Sequence, residues 1–224
     1  VPVESDGIFR FKDKPYDMYY YSIISEKEDR LLIELVLKNT KMPFYFEDSG
    51  IYLVGTLFKT YNEMKDIPSI GFKGNEQFGS GRGYIWSRSL PLLKDTFWIG
   101  HGPDTFPMYY PQDDIIGKLN TFRDIRAVVD KPHSFYIQVA HNTGVISLLA
   151  LLVLFGFYLI QSVKLYWKRR SSDTWVIAGK IIMGAVLAYL ITSIFNDSVI
   201  YVAPIFWTLL GAGFAVNYQV KQLY

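Results

Sequence analysis

The sequence predicts an α-helical membrane protein: three C-terminal transmembrane helices preceded by an extracytoplasmic α+β region, with a small antiparallel β insert at the N-terminus. Three observations predict it. Most of the charge lies before residue 143 and the long apolar runs lie after it. The links between those runs alternate between strongly basic and free of basic residues. Residues 1–65 read as short aromatic and β-branched runs separated by turn signals.

Within 1–65, residues 8–12, 17–24, 30–38 and 50–57 are rich in Tyr, Phe, Ile, Leu and Val, the residue types that suit a pleated, half-buried surface. Lys14-Pro15, Glu26-Lys27-Glu28-Asp29 and Asp48-Ser49-Gly50 supply the links. About four antiparallel strands are expected. Leu31, Glu34, Leu35 and Lys38 also have helical spacing, so a short helix is the alternative for that run. No catalytic constellation stands out here, and the segment reads as a small extracellular insert.

Residues 66–81, punctuated by Gly, Pro and Ser, predict a flexible loop. Residues 82–94 then open like an amphipathic helix, with Ile85, Trp86, Leu90 and Leu93 able to share a side. Pro91 kinks this helix or lets it lie along the membrane surface. Arg82 and Trp86 are one turn apart on it and therefore neighbours. Gly100, Gly102 and Pro103 make a turn suited to bringing backbone amides near a ligand. Gln112, Asp113 and Asp114 suit either a sugar-binding role or a solvated turn, and the turn is preferred. From His133 to Asn142 a helix lying at the membrane surface is expected, ending near Gly144.

A bilayer core takes about 20 mostly apolar helical residues, and residues 145–163, 175–195 and 198–216 qualify. Lys180, the single charge inside them, lies near a helix end and can snorkel. Enclosing these runs in a soluble core would need far more chain than remains. The first link carries Lys164, Lys168, Arg169 and Arg170, whereas Phe195-Asn196-Asp197-Ser198 carries no basic residue and Lys221 follows the third run. Basic links stay in the cytoplasm, so residues 1–143 and Asp197 are expected outside and 218–224 form a cytoplasmic tail. Tyr166, Trp167, Trp175, Tyr201 and Tyr218 cluster near the ends of these runs, as interfacial belts do.

Composition narrows the function classes. The 23 Lys+Arg against 21 Asp+Glu leave a net charge of +2, too balanced for a nucleic-acid partner. With no Cys there is no disulfide framework, thiolate nucleophile or zinc–thiolate site. The polar start at Val1, without Met or a basic-then-apolar order, shows no signal peptide and predicts a fragment, or a gene product that has lost its front half.

Taken in order, Ser80-Gly81-Arg82, Trp86, the Gly-x-Gly-Pro-x-Thr-Phe turn at 100–106, Lys131-Pro132-His133-Ser134 and Gly144 form a pattern. It resembles the outer loop of the O-antigen ligase and O-antigen polymerase family. The family's Arg-x3-Trp helix start matches Arg82 and Trp86, and its His-(Asn/Ser/Gln)-x9-Gly pattern matches His133-Ser134 and Gly144. The resemblance covers roughly residues 79–216. It implies a multi-span membrane glycosyltransferase of cell-surface polysaccharide biosynthesis. Such an enzyme joins a glycan carried on undecaprenyl diphosphate to an acceptor sugar or anchor, and works without a cofactor. The family usually has ten or more spans, which is a second reason to expect a fragment, inactive by itself.

The resemblance also implies roles. His133 is the catalytic residue that activates the acceptor, as suits an imidazole with an ordinary pKa near 6.5. Arg82 contacts the diphosphate, as suits a planar fork that never deprotonates. A second arginine is expected among Arg88, Arg123 and Arg126, the last two preferred because they lie in the loop leading to His133. Asp197 is expected to orient the imidazole or a sugar, or to cap a helix. Arginines that neutralise the diphosphate remove the need for a metal, and there is no dense Asp cluster of the kind that holds Mg²⁺. His141, at i+8 from His133, is able to share its face but reads as an interfacial side chain, and His101 as a local hydrogen-bonding group. The competing reading is a non-enzymatic, membrane-anchored extracellular sensor or scaffold with residues 1–65 as its binding module. A transporter-like bundle is a weaker third, because no apolar run carries a charge pair or a broken half-helix.

Overall fold

Runs rich in Tyr, Phe, Ile, Leu and Val build the first unit of the chain. In a computed structural model that describes residues 8–10, 20–27, 30–37, 40–54, 61–63, 67–167, 169 and 173–223, the chain divides into two units, Val1–Asp66 and Ile67–Tyr224. The first is an antiparallel sheet of six strands: β1 (Ile8–Arg10), β2 (Tyr20–Lys27), β3 (Arg30–Leu37), β4 (Thr40–Glu47), β5 (Gly50–Val54) and β6 (Tyr61–Glu63), each paired with the next in sequence. Register puts Ile33 opposite Phe44 and Phe44 opposite Leu53, with Leu31, Phe46 and Ile51 in the next apolar row. Strand pairs of this kind are the unit of sheet stabilisation. Polar pairs cross the sheet as well: Arg30 with Glu47 at 3.1 Å and Lys41 with Glu34 at 2.9 Å.

The segment at 30–38 is therefore a strand through Leu37, not a helix, because its apolar residues are held by both flanking strands. Strands β4 and β6 were not expected. Pro43 disguised β4, since proline cannot donate to a ladder. It is tolerated because Pro43 pairs with Glu34 on one side, while the pairing with β5 stops at Phe44. The expected strand portions at 11–12, 17–19, 38 and 55–57, the Lys14-Pro15 link, and the basic residues Lys168 and Arg170 lie outside the described residues.

The second unit is helical: α1 (Phe78–Leu92), α2 (Phe106–Tyr109), α3 (Ile115–Phe122), α4 (Phe135–Thr143), α5 (Val145–Tyr166), α6 (Thr174–Thr192) and α7 (Ala203–Leu223). Among the described residues, α5 and α6 are the helices long and apolar enough to cross a membrane. Only 17% of the apolar window of α5 and 22% of that of α6 are buried within the chain, unlike the core helices of a soluble protein. The third expected span is a helix too, but a shifted one. It begins at Ala203 and runs to Leu223 through Asn217, Gln219 and Lys221, so it falls short of the same apolar criterion. Burial of Val216 and Val220 against Tyr166 and Val176 explains why the helix continues past residue 216. Further along the bundle, Phe155, Tyr158, Val186, Leu190, Phe206 and Leu210 pack around Phe135 of α4.

Residues 67–77 are a pinned series of turns rather than a free loop. Ile70 N–H donates to the Ser87 carbonyl at 2.8 Å and Tyr84 N–H to the Glu76 carbonyl at 2.9 Å, while Phe72 packs edge-on against Trp86. The helix expected from His133 begins two residues later, at Phe135, with Ser134 as its N-cap. His133 itself has φ +50, outside any helix, so His141 does not share a helical face with it.

Candidate active site

Three left-handed residues open the site. Gly79, Ser80 and Gly81 have φ of 60, 62 and 90 at the start of α1, so regular helix begins at Arg82. A Cβ on Gly81 would lie 2.9 Å from the Phe122 ring, so the turn needs glycine for space as well as for conformation. This turn swings Ser80 and Arg82 toward the segment before α4. The cleft between them has a volume of about 220 Å³, and its walls include Ser80, Arg82, Phe122, Asp130 and His133.

Arg82 is held at two points. Its Nε donates to the Phe195 carbonyl at 2.9 Å and its Nη1 to the Gly79 carbonyl at 2.8 Å. No bond to Nη2 is made among the described residues, so one edge of the fork remains for a ligand. One turn further along α1, the buried indole N–H of Trp86 donates to the Pro132 carbonyl at 2.9 Å, and its ring packs on Phe195 at 5.6 Å. The Arg-x3-Trp spacing thus has a structural meaning: Arg82 faces the cleft while Trp86 holds the segment that delivers His133.

His133 has left-handed backbone, as Ser80 does, a conformation uncommon outside glycine that persists where surrounding contacts over-determine it. Asp197 supplies those contacts. Its Oδ2 lies 3.0 Å from His133 Nδ1, and its Oδ1 accepts the Ser134 N–H at 3.2 Å. The side chain of Asp197 is 6% exposed and that of His133 is 42% exposed. A buried carboxylate facing Nδ1 favours the tautomer with the proton there, leaving the Nε2 lone pair for chemistry.

The other sequence-predicted residues fall elsewhere. Arg88 lies outside the cleft walls: its Nε pairs with Asp114 at 2.9 Å, both side chains largely buried, and its guanidinium stacks over Tyr84 at 4.8 Å. Asp114 also accepts the Gly117 N–H to cap α3, and Gln112 bonds the Val129 backbone at 2.7 Å. Residues 112–114 therefore form a braced turn in which Asp113 is exposed and Asp114 is buried. Arg123 caps α3 in left-handed conformation. Arg126 is exposed, 3.5 Å from Asp124, whose carboxyl is held below its usual range by the Arg126 backbone N–H and then by the Arg126 charge. Both arginines flank the cleft walls at Phe122 and Ala127 without forming them.

His101 stacks on Tyr109 at 3.6 Å. It faces a His141 that is buried rather than interfacial, with neither ring nitrogen bonded among the described residues. Burial, and then the nearby His101, push the His141 pKa down to about 4. Sequence reasoning gave no role to Ser80 or Asp130. The available signals were a serine between two glycines and a carboxylate three residues before His133.

Residues 49–152 match a family model described as O-antigen ligase. The match takes in Arg82, Trp86 and His133 and ends within α5, so it begins earlier and stops sooner than the stretch whose motifs carried the resemblance. No curated protein and no solved structure matches the chain.

Proposed function

Membership of the O-antigen ligase family, carried by residues 49–152, is the premise from which we propose that this chain carries the catalytic cleft of a membrane glycosyltransferase. It takes a glycan from undecaprenyl diphosphate and transfers it to an acceptor sugar or anchor on the outer side of the cytoplasmic membrane. The observation that supports this reading best is the meeting in one cleft of a half-fixed guanidinium, Arg82, and an imidazole backed by a buried carboxylate, His133 with Asp197.

Each group answers one demand of the reaction. The acceptor O–H gives its proton to His133 Nε2 as its oxygen attacks the anomeric carbon, the role of a general base. The bond from that carbon to the diphosphate oxygen breaks, and its electron pair leaves on the diphosphate. Arg82 meets the charge that gathers there through its remaining N–H edge, a pre-oriented donor that needs no rearrangement during the step. Attack opposite the leaving group inverts the anomeric centre. Asp197 does not change protonation; it holds the ring and stabilises the imidazolium. Arg123 or Arg126, beside the cleft walls, supplies a second phosphate contact.

All of these groups lie at one end of the long helices: His133 precedes α4, which leads into α5, and Phe195 and Asp197 follow α6. With the basic links on the cytoplasmic side and α7 as a third span, that end faces outward, where a lipid carrier presents its sugar. The test is a vesicle assay of the full-length protein with undecaprenyl-diphosphate-linked glycan and acceptor. Consumption of the donor with formation of an inverted linkage supports the reading. An intact donor, alongside specific binding of a ligand by the sheet at 8–63, favours the sensor or scaffold.

A further inference from the structure

The loop that meets the first turn of α5 exposes large apolar side chains that the cleft does not use. Its main chain is clamped there: Val145 N–H donates to the Thr96 carbonyl at 3.0 Å and Ile146 N–H to the Phe97 carbonyl at 3.3 Å. Gly100 lies so close to Asn142 and Thr143 that any Cβ would overlap their main chain. From this braced loop Trp98 and Ile99 project, 75% and 80% exposed. Isolated exposed apolar residues are ordinary, but a contiguous set on a rigid support marks an interaction site.

The length of α5 says what covers them. Its 22 residues span about 33 Å, against a hydrocarbon core of about 30 Å. A crossing helix of that length has little to spare, so Val145 stands at the core boundary, and the loop bonded to Val145 and Ile146 stands there too. The exposed stripe of α5, including Leu149, Leu152, Val153 and Phe157, continues the same apolar surface into the bilayer. Tryptophan favours this boundary, and Trp167, also exposed, sits just past the other end of α5.

We propose that Trp98 and Ile99 form an interfacial anchor that inserts between headgroups and acyl chains in the leaflet at the N-terminal end of α5. The inference rests on α5 being a membrane span. Its consequence concerns the cleft. His101 and Gly102 donate to the carbonyls of His141 and Asn142 at the end of α4, while His133 lies just before its start. The nine residues of α4 are about 13 Å long. The anchor therefore holds the imidazole within about 20 Å of the lipid surface, the length of α4 plus two extended residues.

The chain has no cysteine, so single-cysteine variants of it can be labelled directly. Ile99→Cys and Leu152→Cys, each carrying an environment-sensitive fluorophore, are reconstituted into phosphatidylcholine vesicles whose lipids are brominated at shallow or deep acyl positions. The expected result is strong quenching of the label at 99 by shallow bromines and of the label at 152 by deep ones. If the label at 152 is quenched by lipid while that at 99 responds only to aqueous iodide, or to neither quencher, the anchor is refuted and the span stands. If neither label is quenched by lipid, the span itself fails and takes the anchor with it.

Discussion

His133 Nδ1 stands 3.0 Å from the buried Oδ2 of Asp197, across 64 residues of chain. One short link between two long helices thus sets the orientation of an imidazole delivered by a different loop. Asp197→Asn keeps the size of the side chain but removes its charge and frees the tautomer. Transfer should fall on the order of 100-fold or more in kcat, with donor KM little changed, because general-base catalysis contributes at about that scale. Steady-state kinetics would show it; a change confined to KM would mean that Asp197 touches substrate instead.

Arg82 is tested by its closest charged substitute. Arg82→Lys preserves a positive charge but cannot make the bonds to Phe195 and Gly79 while also presenting a planar edge to phosphate. Most transfer activity should be lost although the protein still inserts into the membrane. Near-normal turnover by the lysine variant would reduce Arg82 to a generic cation.

Arg88 should behave differently. Removing it leaves Asp114 buried without its ion partner, and breaking a buried pair costs about 3–5 kcal/mol. Arg88→Ala is therefore expected to lower the thermal unfolding temperature in detergent. An unaltered unfolding temperature combined with a raised donor KM would restore Arg88 as a substrate contact.

His141 predicts a pH dependence of stability. Its folded pKa of about 4 lies below the ordinary 6.5, so the unfolded chain binds the proton more tightly in between. The neutral ring's contribution is fully present above pH 6.5 and is lost as pH falls toward 4, on the order of 3 kcal/mol in all. His141→Phe, in a pocket already lined by Phe106 and Tyr109, should flatten that part of the stability profile. Identical profiles for the two proteins would mean that His141 stays solvated.

Part of this cleft was legible from residue order. Arg82 and Trp86 are one helical turn apart, as their spacing suggested, whereas His133, expected inside a helix, lies two residues before one. What escaped the sequence was decided by contacts distant along the chain. Strand β4 was hidden because Pro43 argues against a strand unless the pairing on one side has already stopped, as the pairing with β5 does at Phe44. Arg88 was the less favoured of three candidate arginines in the sequence, and the fold pairs it with Asp114, 26 residues away. His141 was misjudged because its burial comes from α2, four residues of helix with no periodicity to read. Asp197 could orient the imidazole, hold a sugar or cap a helix from sequence alone, and the fold places its carboxylate against His133.

The account stands on His133 as the proton acceptor. The direct measurement is transfer from a lipid-diphosphate glycan by full-length protein in vesicles, comparing His133→Ala with the unaltered enzyme at equal membrane insertion. Loss of turnover by on the order of 1,000-fold, within the range of general-base effects, with donor binding retained, is the predicted result. Turnover within a few-fold of the unaltered enzyme would contradict it.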